Sequence, residues 1–437
     1  MNETQIDEFD ENINFFNEQN YKKIIHKSGL TIILNSMPEY NSSFAIIGVK
    51  YGSMNIEFKK PEDEDFISVP LGIAHFLEHK MFENSDGEDT FAKFAKTGAI
   101  ANAYTGFSET AFLFSSSENF KESLKILLKY VTHPYFTDKN VEKEKDIICQ
   151  EMKMYQDDPN WRCYFEVIRG LYSEIPIFFD ISGTEESIEE ITKEKLYKCY
   201  NTYYKLNNMV LSIAGRFDIN ESIKVINRVL AKMVNNEPFD IVNKTYDEPA
   251  KSYRRYVVVH LPIDIPILGV GFKHTPAKTL RDNFILSMKY SMINELMTGD
   301  MSKLYGDLYY EGVIEKPISY EIINGQGYMA SIFIIETDDI NVVKQRLREA
   351  ISEIKKSGIS VSDFIAVKKG FYGKHMMEMD NPENVATKHM DGYLNGFDFR
   401  DWERELLKIN KEELEELINK EYTFENLSTA IISPFVS

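Results

Sequence analysis

The chain of 437 residues is 43% hydrophobic and 27% charged, a composition that supports packed cores and argues against intrinsic disorder. Its 50 Lys and Arg residues and 69 Asp and Glu residues give a net charge of −19, which repels nucleic acid and anionic membranes. Acidic side chains that line a cavity would attract basic peptides; alternatively, the excess charge serves only to keep the protein in solution.

The cysteines and the amino terminus both indicate where the protein resides. Cys149, Cys163 and Cys199 lack C-x-x-C spacing, which indicates reduced thiols and not a disulfide framework. Residues 1–10 are acidic and lack an apolar core, so we expect neither a signal peptide nor a transit peptide. No run of the sequence approaches the roughly 18 apolar residues of a membrane span. These features predict a cytoplasmic protein.

The first half of the chain alternates between strand-like and helix-like patterns. Its predicted elements, in chain order, are strands at 30–35 and 43–50, a helix that contains His75, a strand pair within 102–117, a helix from about 118, a helix over 141–155, further helices, a strand at 208–215 and a closing helix.

The second half repeats that order. Its predicted elements are strands at 256–260 and 267–272, a helix at 280–297, a strand pair that ends at 330–337, a helix that carries apolar residues from 342 to 354, and a last strand at 427–433. Strands followed by a helix, strands and more helices predict an α/β layer in each half. We therefore predict an α+β protein of two homologous domains, each an antiparallel-rich sheet packed with helices. The predicted limits are 1–234, a polar linker at 235–253, and 254–437.

The most informative segment is His75-Phe76-Leu77-Glu78-His79, an H-x-x-E-H motif. His75 and His79 are four residues apart and share one face of a helix, where two imidazoles can hold one Zn²⁺ ion. Glu78 lies beside that face and can reach a water molecule at the metal, the arrangement needed to hydrolyse an amide. The alternative is a structural helix with a solvated Glu–His pair.

A catalytic zinc site needs three protein ligands and an open position, so a third ligand must come from elsewhere. The best candidates are Glu144 and Glu151, which are two helical turns apart and share a face of the predicted helix. One of them can bind zinc while the other orients a histidine or the water; the alternative is a solvent-exposed acidic face. The apolar stripe of this helix is predicted to comprise Val141, Ile147, Ile148, Met152 and Tyr155.

These residues resemble the pitrilysin group of zinc metallopeptidases, the inverzincins, which includes insulin-degrading enzyme and the mitochondrial processing peptidase. The family pattern places E-x6-E some seventy-odd residues after H-x-x-E-H, and here Glu151 follows His79 by 72 residues. Further matching stretches lie at 98–105, 183–188 and 208–215, so the resemblance covers nearly the whole chain. It implies His75, His79 and Glu151 as zinc ligands, Glu78 as general base and Glu144 as a supporting carboxylate.

The resemblance also implies how substrate binds. Asn102, Ala103, Tyr104 and Thr105 lie on a predicted edge strand that would hydrogen-bond the backbone of an extended peptide as an added β-strand. For Tyr104, a strand residue that only packs is the alternative. The family further implies two halves that face each other, or a second chain, like a clamshell around an enclosed chamber.

The second half departs from the family pattern. It has no H-x-x-E-H, so one chain should hold one zinc ion. Active relatives carry an Arg and, seven residues later, a Tyr that grip the scissile carbonyl, but here Tyr309 and Lys316 occupy those positions. Either a partner chain supplies the pair, or Tyr309, Tyr310 or Tyr320 replaces it. These tyrosines are alternatively only core aromatics.

The sequence therefore predicts a zinc-dependent metalloendopeptidase that cleaves extended peptides in an enclosed chamber. The alternative is a non-catalytic binding or scaffold subunit of a heteromeric peptidase complex. We expect a dimer, with a zinc-free homologous chain in preference to a second copy, and neither nucleic acid nor membrane as partner. General peptide turnover and the trimming of a leader peptide both stay open as the biological role.

Overall fold

The computed structural model describes residues 20–233 and 240–435. The predictions for residues 1–10, and for residues 234–239 around the start of the predicted linker, lie outside the described residues. The described residues form an α+β fold whose two halves repeat one order of strands and helices, as the sequence predicts. No helix among them is long and apolar enough to cross a bilayer.

Apolar strands, buried on both faces, form the centre of the first sheet. Its strands are β1 (Tyr21–Ile25), β2 (Thr31–Ser36), β3 (Ser43–Val49), β6 (Ile100–Thr105), β7 (Thr110–Ser116) and β8 (Met209–Gly215). Their spatial order is β1-β2-β8-β3-β7-β6, with β2 and β8 parallel and the other neighbours antiparallel. A smaller sheet contains β4 (Glu57–Lys59), β5 (Ile67–Ser68) and β9 (Val242–Asn243). The order of the larger sheet leaves β6 at its edge.

The helices of the first half surround this sheet. They are α1 (Ile73–Met81), α2 (Thr90–Ala95), α3 (Phe120–Thr132), α4 (Asp138–Asp157), α5 (Pro159–Leu171), α6 (Glu185–Glu189), α7 (Lys193–Tyr203) and α8 (Ile219–Val229), with 3₁₀ turns at Pro176–Phe178 and Leu206–Asn208. Apolar residues of α1, α3, α4 and α7 pack with one face of the sheet in a single core.

The second half contains the corresponding elements. Its strands are β10 (Tyr256–His260), β11 (Ile267–Lys273), β12 (Ser319–Gly325), β13 (Tyr328–Glu336) and β14 (Leu427–Ser433), in the spatial order β10-β14-β11-β13-β12. Its helices are α9 (Leu280–Thr298), α10 (Lys303–Tyr310), α11 (Ile340–Ser357), α12 (Val361–Met379), α13 (Pro382–Leu394), α14 (Trp402–Lys408) and α15 (Lys411–Glu421), with a 3₁₀ turn at Phe399–Asp401. β14 and β10 are parallel, as β8 and β2 are in the first half.

The two halves exchange one helix each. α5 belongs to the first half in sequence but packs against β11 and β14, where Val167 and Leu171 join a core with strand residues of the second half. α13 reciprocally packs against β3 and β8, and its Met390 joins a core with strand residues of the first half. Each half therefore contributes a helix to the core of the other half. The domain limits at 1–234 and 254–437 remain a prediction from the sequence.

Glycines in the strands permit this close packing. A Cβ atom at Gly48 of β3 would lie 2.6 Å from Met390 Sδ, and one at Gly269 of β11 would lie 2.6 Å from Val167 Cγ2. Real Cβ atoms do not approach other atoms so closely, so a larger residue would push the exchanged helix away from its sheet.

The described part of the predicted linker contacts both halves. β9 extends the small sheet by pairing with β4. Farther along, Glu248 accepts backbone N–H groups of Glu174 at 2.8 Å and Ile175 at 2.9 Å, and pairs with Lys273 Nζ at 2.5 Å. Burial lowers the pKa of Lys273, although the ion pair with Glu248 raises it in part. This buried ion pair fixes the connection to the end of α5.

Candidate metal centre

Helix α1 presents the H-x-x-E-H side chains at the edge of the first sheet. The helix begins after Gly72, whose φ of 77° is in the left-handed region that favours glycine. A Cβ atom at Gly72 would lie 2.2 Å from the Ser182 carbonyl oxygen, so a larger residue would not fit there. Apolar residues of α1 are buried in the core, which directs His75 and His79 to the opposite face. The centroids of the two imidazole rings are 4.6 Å apart.

Helix α4 brings both predicted carboxylates to this face. It begins at a capping box in which Thr137 and Asn140 satisfy each other's backbone N–H groups, and it packs against α1. Val141, Ile148 and Met152 are buried as predicted. Ile147 is 43% exposed, so its predicted place in the apolar stripe is wrong.

Three side chains converge as possible metal ligands. Glu151 Oε2 lies 3.2 Å from His79 Nε2, and Glu151 Oε1 lies 3.9 Å from His75 Nε2. One ligand atom from each of His75, His79 and Glu151 lies within 4.8 Å of the other two. Tetrahedral zinc with bonds of about 2.0–2.1 Å separates its donors by about 3.3 Å, so the spacing and the N, N, O donor set fit zinc with an open fourth position.

Glu144 supports His79 from the side away from Glu151. Its Oε1 lies 3.1 Å from His79 Nδ1, and its Oε2 accepts a hydrogen bond from Lys80 Nζ at 3.1 Å. Lys80 is fully buried and also donates to Glu83 Oε1 at 2.5 Å. A carboxylate on the second ring nitrogen fixes the orientation of a ligating imidazole. His75 Nδ1, in contrast, is buried without a hydrogen-bond partner among the described residues.

Glu78 lies beside these possible metal ligands, in contact with the edge strand. It is 7% exposed, and its Oε2 accepts a hydrogen bond from the Thr105 hydroxyl at 2.7 Å. Burial raises the pKa of Glu78 to about 7, although the bond from Thr105 lowers it. A carboxylate with a pKa near neutrality is suited to accept and return a proton.

The two histidines differ in their electrostatic surroundings. Burial and the neighbouring His79 lower the pKa of His75 to about 4. Burial also acts to lower the pKa of His79, but hydrogen bonds to Glu144 and Glu151 raise it to about 10. The bond from His79 lowers the pKa of Glu151, and so keeps that carboxylate ionised.

A pocket of about 600 Å³ opens beside these groups. The edge-strand residues predicted to bind substrate, Asn102, Ala103, Tyr104 and Thr105, all line it. The pocket is also lined by residues that the sequence did not indicate, among them Phe82, Phe91, Tyr155, Trp161 and Asp180. Tyr155 lies one helical turn after Glu151, a spacing that could have identified it. Trp161 donates its Nε1–H to Asp180 Oδ2 at 2.8 Å, a contact that no sequence spacing indicates.

The structure does not bring the three candidate clamp tyrosines to this pocket. Tyr309 and Tyr310 lie on the surface of α10 and are 49% and 89% exposed. The hydroxyl of Tyr320 donates to Glu295 Oε2 at 2.8 Å, within the second half. Lys316 pairs with Glu336 at 2.6 Å. Within the described residues, nothing from the second half lines the pocket.

Comparison with known proteins decides the family. Residues 32–169 match the family model described as insulinase, peptidase family M16, and residues 190–371 match that of the peptidase M16 inactive domain. An uncharacterized zinc protease of Bacillus subtilis is 32% identical over 424 residues, which cover 95% of this chain and 98% of that protein. This chain belongs to peptidase family M16. The resemblance noted in the sequence is thereby confirmed.

Solved structures of M16 proteins share the fold. An M16-like peptidase from Alicyclobacillus acidocaldarius superposes with a TM-score of 0.90 at 31% identity, covering 95% of this chain and 98% of that one. A Schizosaccharomyces pombe protein named as a probable mitochondrial-processing peptidase subunit beta is 26% identical over 203 residues, which cover 46% of this chain and 42% of that protein. The relatives of this chain thus include a protein named as a zinc protease and one named as a peptidase subunit.

Proposed function

We propose that this chain is a zinc-dependent endopeptidase that hydrolyses extended peptides. The observation that carries the proposal is the convergence of His75, His79 and Glu151 on one point, with Glu78 beside them in a pocket bordered by an edge strand. Relatives that are named zinc proteases support the same chemistry.

Each side chain at this site would have a distinct role in peptide hydrolysis. His75, His79 and Glu151 would hold the metal, and Glu144 would orient His79. Bound zinc supplies Lewis acidity, which polarises a peptide carbonyl and lowers the pKa of water towards about 7. Glu78 would accept a proton from the attacking water and return it to the leaving amine. This proton transfer does not require a nucleophilic side chain.

The edge strand would position the substrate. In the described sheet, β6 pairs with β7 on one side only, so its other edge can take an added strand. Thr105 belongs to β6 and also contacts Glu78, so a peptide on this edge would lie next to the general base. Main-chain pairing would select unfolded peptides with little requirement for side-chain identity.

A partner chain would complete the site. Tyr309 and Lys316 replace the Arg and Tyr of active relatives, and both lie away from the pocket. We propose a zinc-free homologous chain, in preference to a second copy, as the source of the missing carbonyl donors. The loss of one such donor costs about 3 kcal/mol of transition-state stabilisation, so the chain alone should turn over slowly.

A non-catalytic scaffold subunit is the competing function. The intact ligand set and the buried Glu78 favour the enzyme, because a scaffold needs neither. Peptide hydrolysis by the chain with and without a homologous partner separates the two. The proposal expects weak zinc-dependent cleavage that rises at least about tenfold with the partner, equivalent to about 1.4 kcal/mol. Full activity from a demonstrated monomer would refute the need for a partner.

A further inference from the structure

A second cavity adjoins the pocket at the candidate metal centre. It has a volume of about 350 Å³, and we call it the side pocket. Trp161 and Asp180 line both cavities. On α4, Glu151 lines the pocket at the metal centre and the next residue, Met152, lines the side pocket. A peptide bound at the metal centre would therefore have the side pocket within reach of its neighbouring residues.

Trp161 forms the wall between the two cavities. Its Nε1–H donates to Asp180 Oδ2 at 2.8 Å, and its ring lies 5.0 Å from the rings of Tyr155 and Phe165. Asp180 Oδ1 in turn accepts hydrogen bonds from the backbone N–H of Ser182 at 2.9 Å and from its hydroxyl at 2.6 Å. These contacts fix the shape of the side pocket before a ligand enters, which lowers the entropic cost of binding.

Three arginines surround one buried carboxylate at the α5 end of the side pocket. The side chain of Glu166 is 8% exposed, and it accepts hydrogen bonds from Arg169 at 3.0 Å and from Arg254 at 2.8 Å, one on each oxygen. Arg162 Nε lies 3.3 Å from the same carboxylate, but it is buried without a hydrogen-bond partner among the described residues. Glu166 therefore balances one of three positive charges.

Arg162 has a guanidinium group whose hydrogen-bonding capacity is unused. Arg162 and Arg169 both line the side pocket, and the side chain of Arg162 is 35% exposed. A guanidinium carries five N–H donors in a planar fork, and none of those of Arg162 donates to a residue that the structure describes. Such a fork matches a carboxylate, which can accept two parallel hydrogen bonds from it.

Three carboxylates also line the side pocket, and each has partners of its own. Asp180 accepts three hydrogen bonds. Glu185 is exposed and pairs with Lys153 at 3.1 Å. Glu186 is exposed, and hydrogen bonds from its own backbone N–H and from a neighbouring hydroxyl lower its pKa. Because solvent and salt screen the two exposed carboxylates, the α5 end of the side pocket around Arg162 stays attractive to an anion.

We propose that the side pocket binds a carboxylate of the peptide substrate and that Arg162 is the residue that recognises it. The inference rests on the proposed peptidase function and adds a substrate class, peptides with an acidic group close to the scissile bond. Two groups of a peptide carry such a carboxylate, namely an Asp or Glu side chain and a free carboxyl terminus. Trp161 and Phe165 provide the apolar wall for the rest of that substrate residue.

Peptide binding by full-length, zinc-loaded Glu78→Gln tests the proposal without turnover. Fluorescence anisotropy compares three extended peptides, labelled at the amino terminus and amidated at the carboxyl terminus, that carry Glu, Gln or Lys at one central position. We expect the Glu peptide to bind at least about fivefold more tightly than the Gln peptide, and the Lys peptide to bind no better than the Gln peptide. A fourth peptide, the Gln peptide with a free carboxyl terminus, gains the same affinity over its amide if the terminus is the group that binds.

Substitutions at two cations complete the test. In the Glu78→Gln background, Arg162→Gln should reduce the gain from the carboxylate to less than about twofold, whereas Arg162→Lys should retain part of it, because lysine keeps the charge but not the fork. Lys153→Gln is the matched control. It removes the same charge at a residue whose side chain is 63% exposed and whose partner, Glu185, lines the side pocket, and it should leave the gain unchanged within about twofold.

The outcomes separate this inference from the proposed peptidase activity. Absence of saturable binding, no gain from either carboxylate, a preference for the Lys peptide, or an equal loss in Lys153→Gln would each overturn the inference. Cleavage of the Glu and Gln peptides by the wild type at rates that do not depend on Arg162 would overturn the inference but leave the peptidase function. A carboxylate preference that requires Arg162, without cleavage by the wild type, would support the side pocket and contradict the peptidase function.

Discussion

Glu144 and Glu151 lie two turns apart on one face of α4, yet they contact opposite ring nitrogens of His79. Glu151 is within 3.2 Å of His79 Nε2 and belongs to the candidate ligand set. Glu144 contacts the opposite nitrogen, His79 Nδ1, at 3.1 Å and is held by the buried Lys80. We therefore expect Glu151→Ala to remove a zinc ligand and Glu144→Gln to remove only the support of one.

The two substitutions should differ in magnitude. Loss of an outer partner of a ligating histidine typically weakens metal binding about 10–100-fold, equivalent to about 1.4–2.7 kcal/mol. A zinc-binding free energy of about 10–16 kcal/mol shared among four ligands gives about 2.5–4 kcal/mol per ligand. Zinc affinity should therefore fall further in Glu151→Ala than in Glu144→Gln, by roughly tenfold when the middles of the two ranges are compared.

Competition with a chromogenic chelator at fixed pH measures both affinities. Glu142→Gln is the control, because Glu142 lies on the same helix, has a side chain that is 71% exposed and pairs only with Lys145 among the described residues. Thermal unfolding of the metal-free variants separates lost zinc binding from lost folding, since Glu144→Gln also takes a partner from Lys80. A fully loaded Glu151→Ala beside an empty Glu144→Gln would reverse the assignment, and two affinities equal to that of Glu142→Gln would refute it.

Three further substitutions test the surroundings of the site and the fold. Thr105→Val should keep zinc but lower kcat about tenfold, because Glu78 loses its only described side-chain donor. Burial raises the pKa of Asp391 to about 7, so the folded protein holds a proton that the unfolded chain releases above about pH 4. Urea unfolding should therefore show that the free energy of unfolding of the wild type falls by about 1–3 kcal/mol relative to that of Asp391→Asn between pH 4 and 7. A difference in unfolding free energy that stays constant over this pH range would contradict the prediction. Gly269→Val should destabilise by about 1–3 kcal/mol, since its side chain would push α5 off the sheet, whereas Gly306→Ala, with nothing within 4 Å, should not.

Local spacing predicted the two pairs of side chains that each share a helix face. His75 and His79 fall on one helix face whatever surrounds them, and Glu144 and Glu151 share a face for the same reason. The contacts that tune these residues could not be read from spacing. The bond from Thr105 to Glu78 depends on how β6 packs against α1, and the fully buried Lys80 is a residue type that composition rules place on the surface.

The packing of α5 and α13 on the sheet of the opposite half could not be predicted from the sequence. Apolar spacing identifies which face of a helix is buried, but not which sheet covers that face. The sequence predicted the order of strands and helices in both halves, and the structure confirms it. It did not predict that Val167 packs on β11, more than a hundred residues away, because that contact depends on the whole arrangement of the chain.

Mass-spectrometric analysis of an extended peptide, incubated with the zinc-loaded chain and its partner, tests whether this chain is a zinc-dependent endopeptidase. The comparison is between wild type and Glu78→Gln, each first shown by elemental analysis to hold one zinc ion per chain. We expect internal cleavage by the wild type that a chelator abolishes and added zinc restores. We expect no cleavage by Glu78→Gln, because an amide cannot accept the proton of water. Substantial hydrolysis by pure, zinc-loaded Glu78→Gln, or an intact peptide after incubation with the zinc-loaded wild type and its partner, would contradict it.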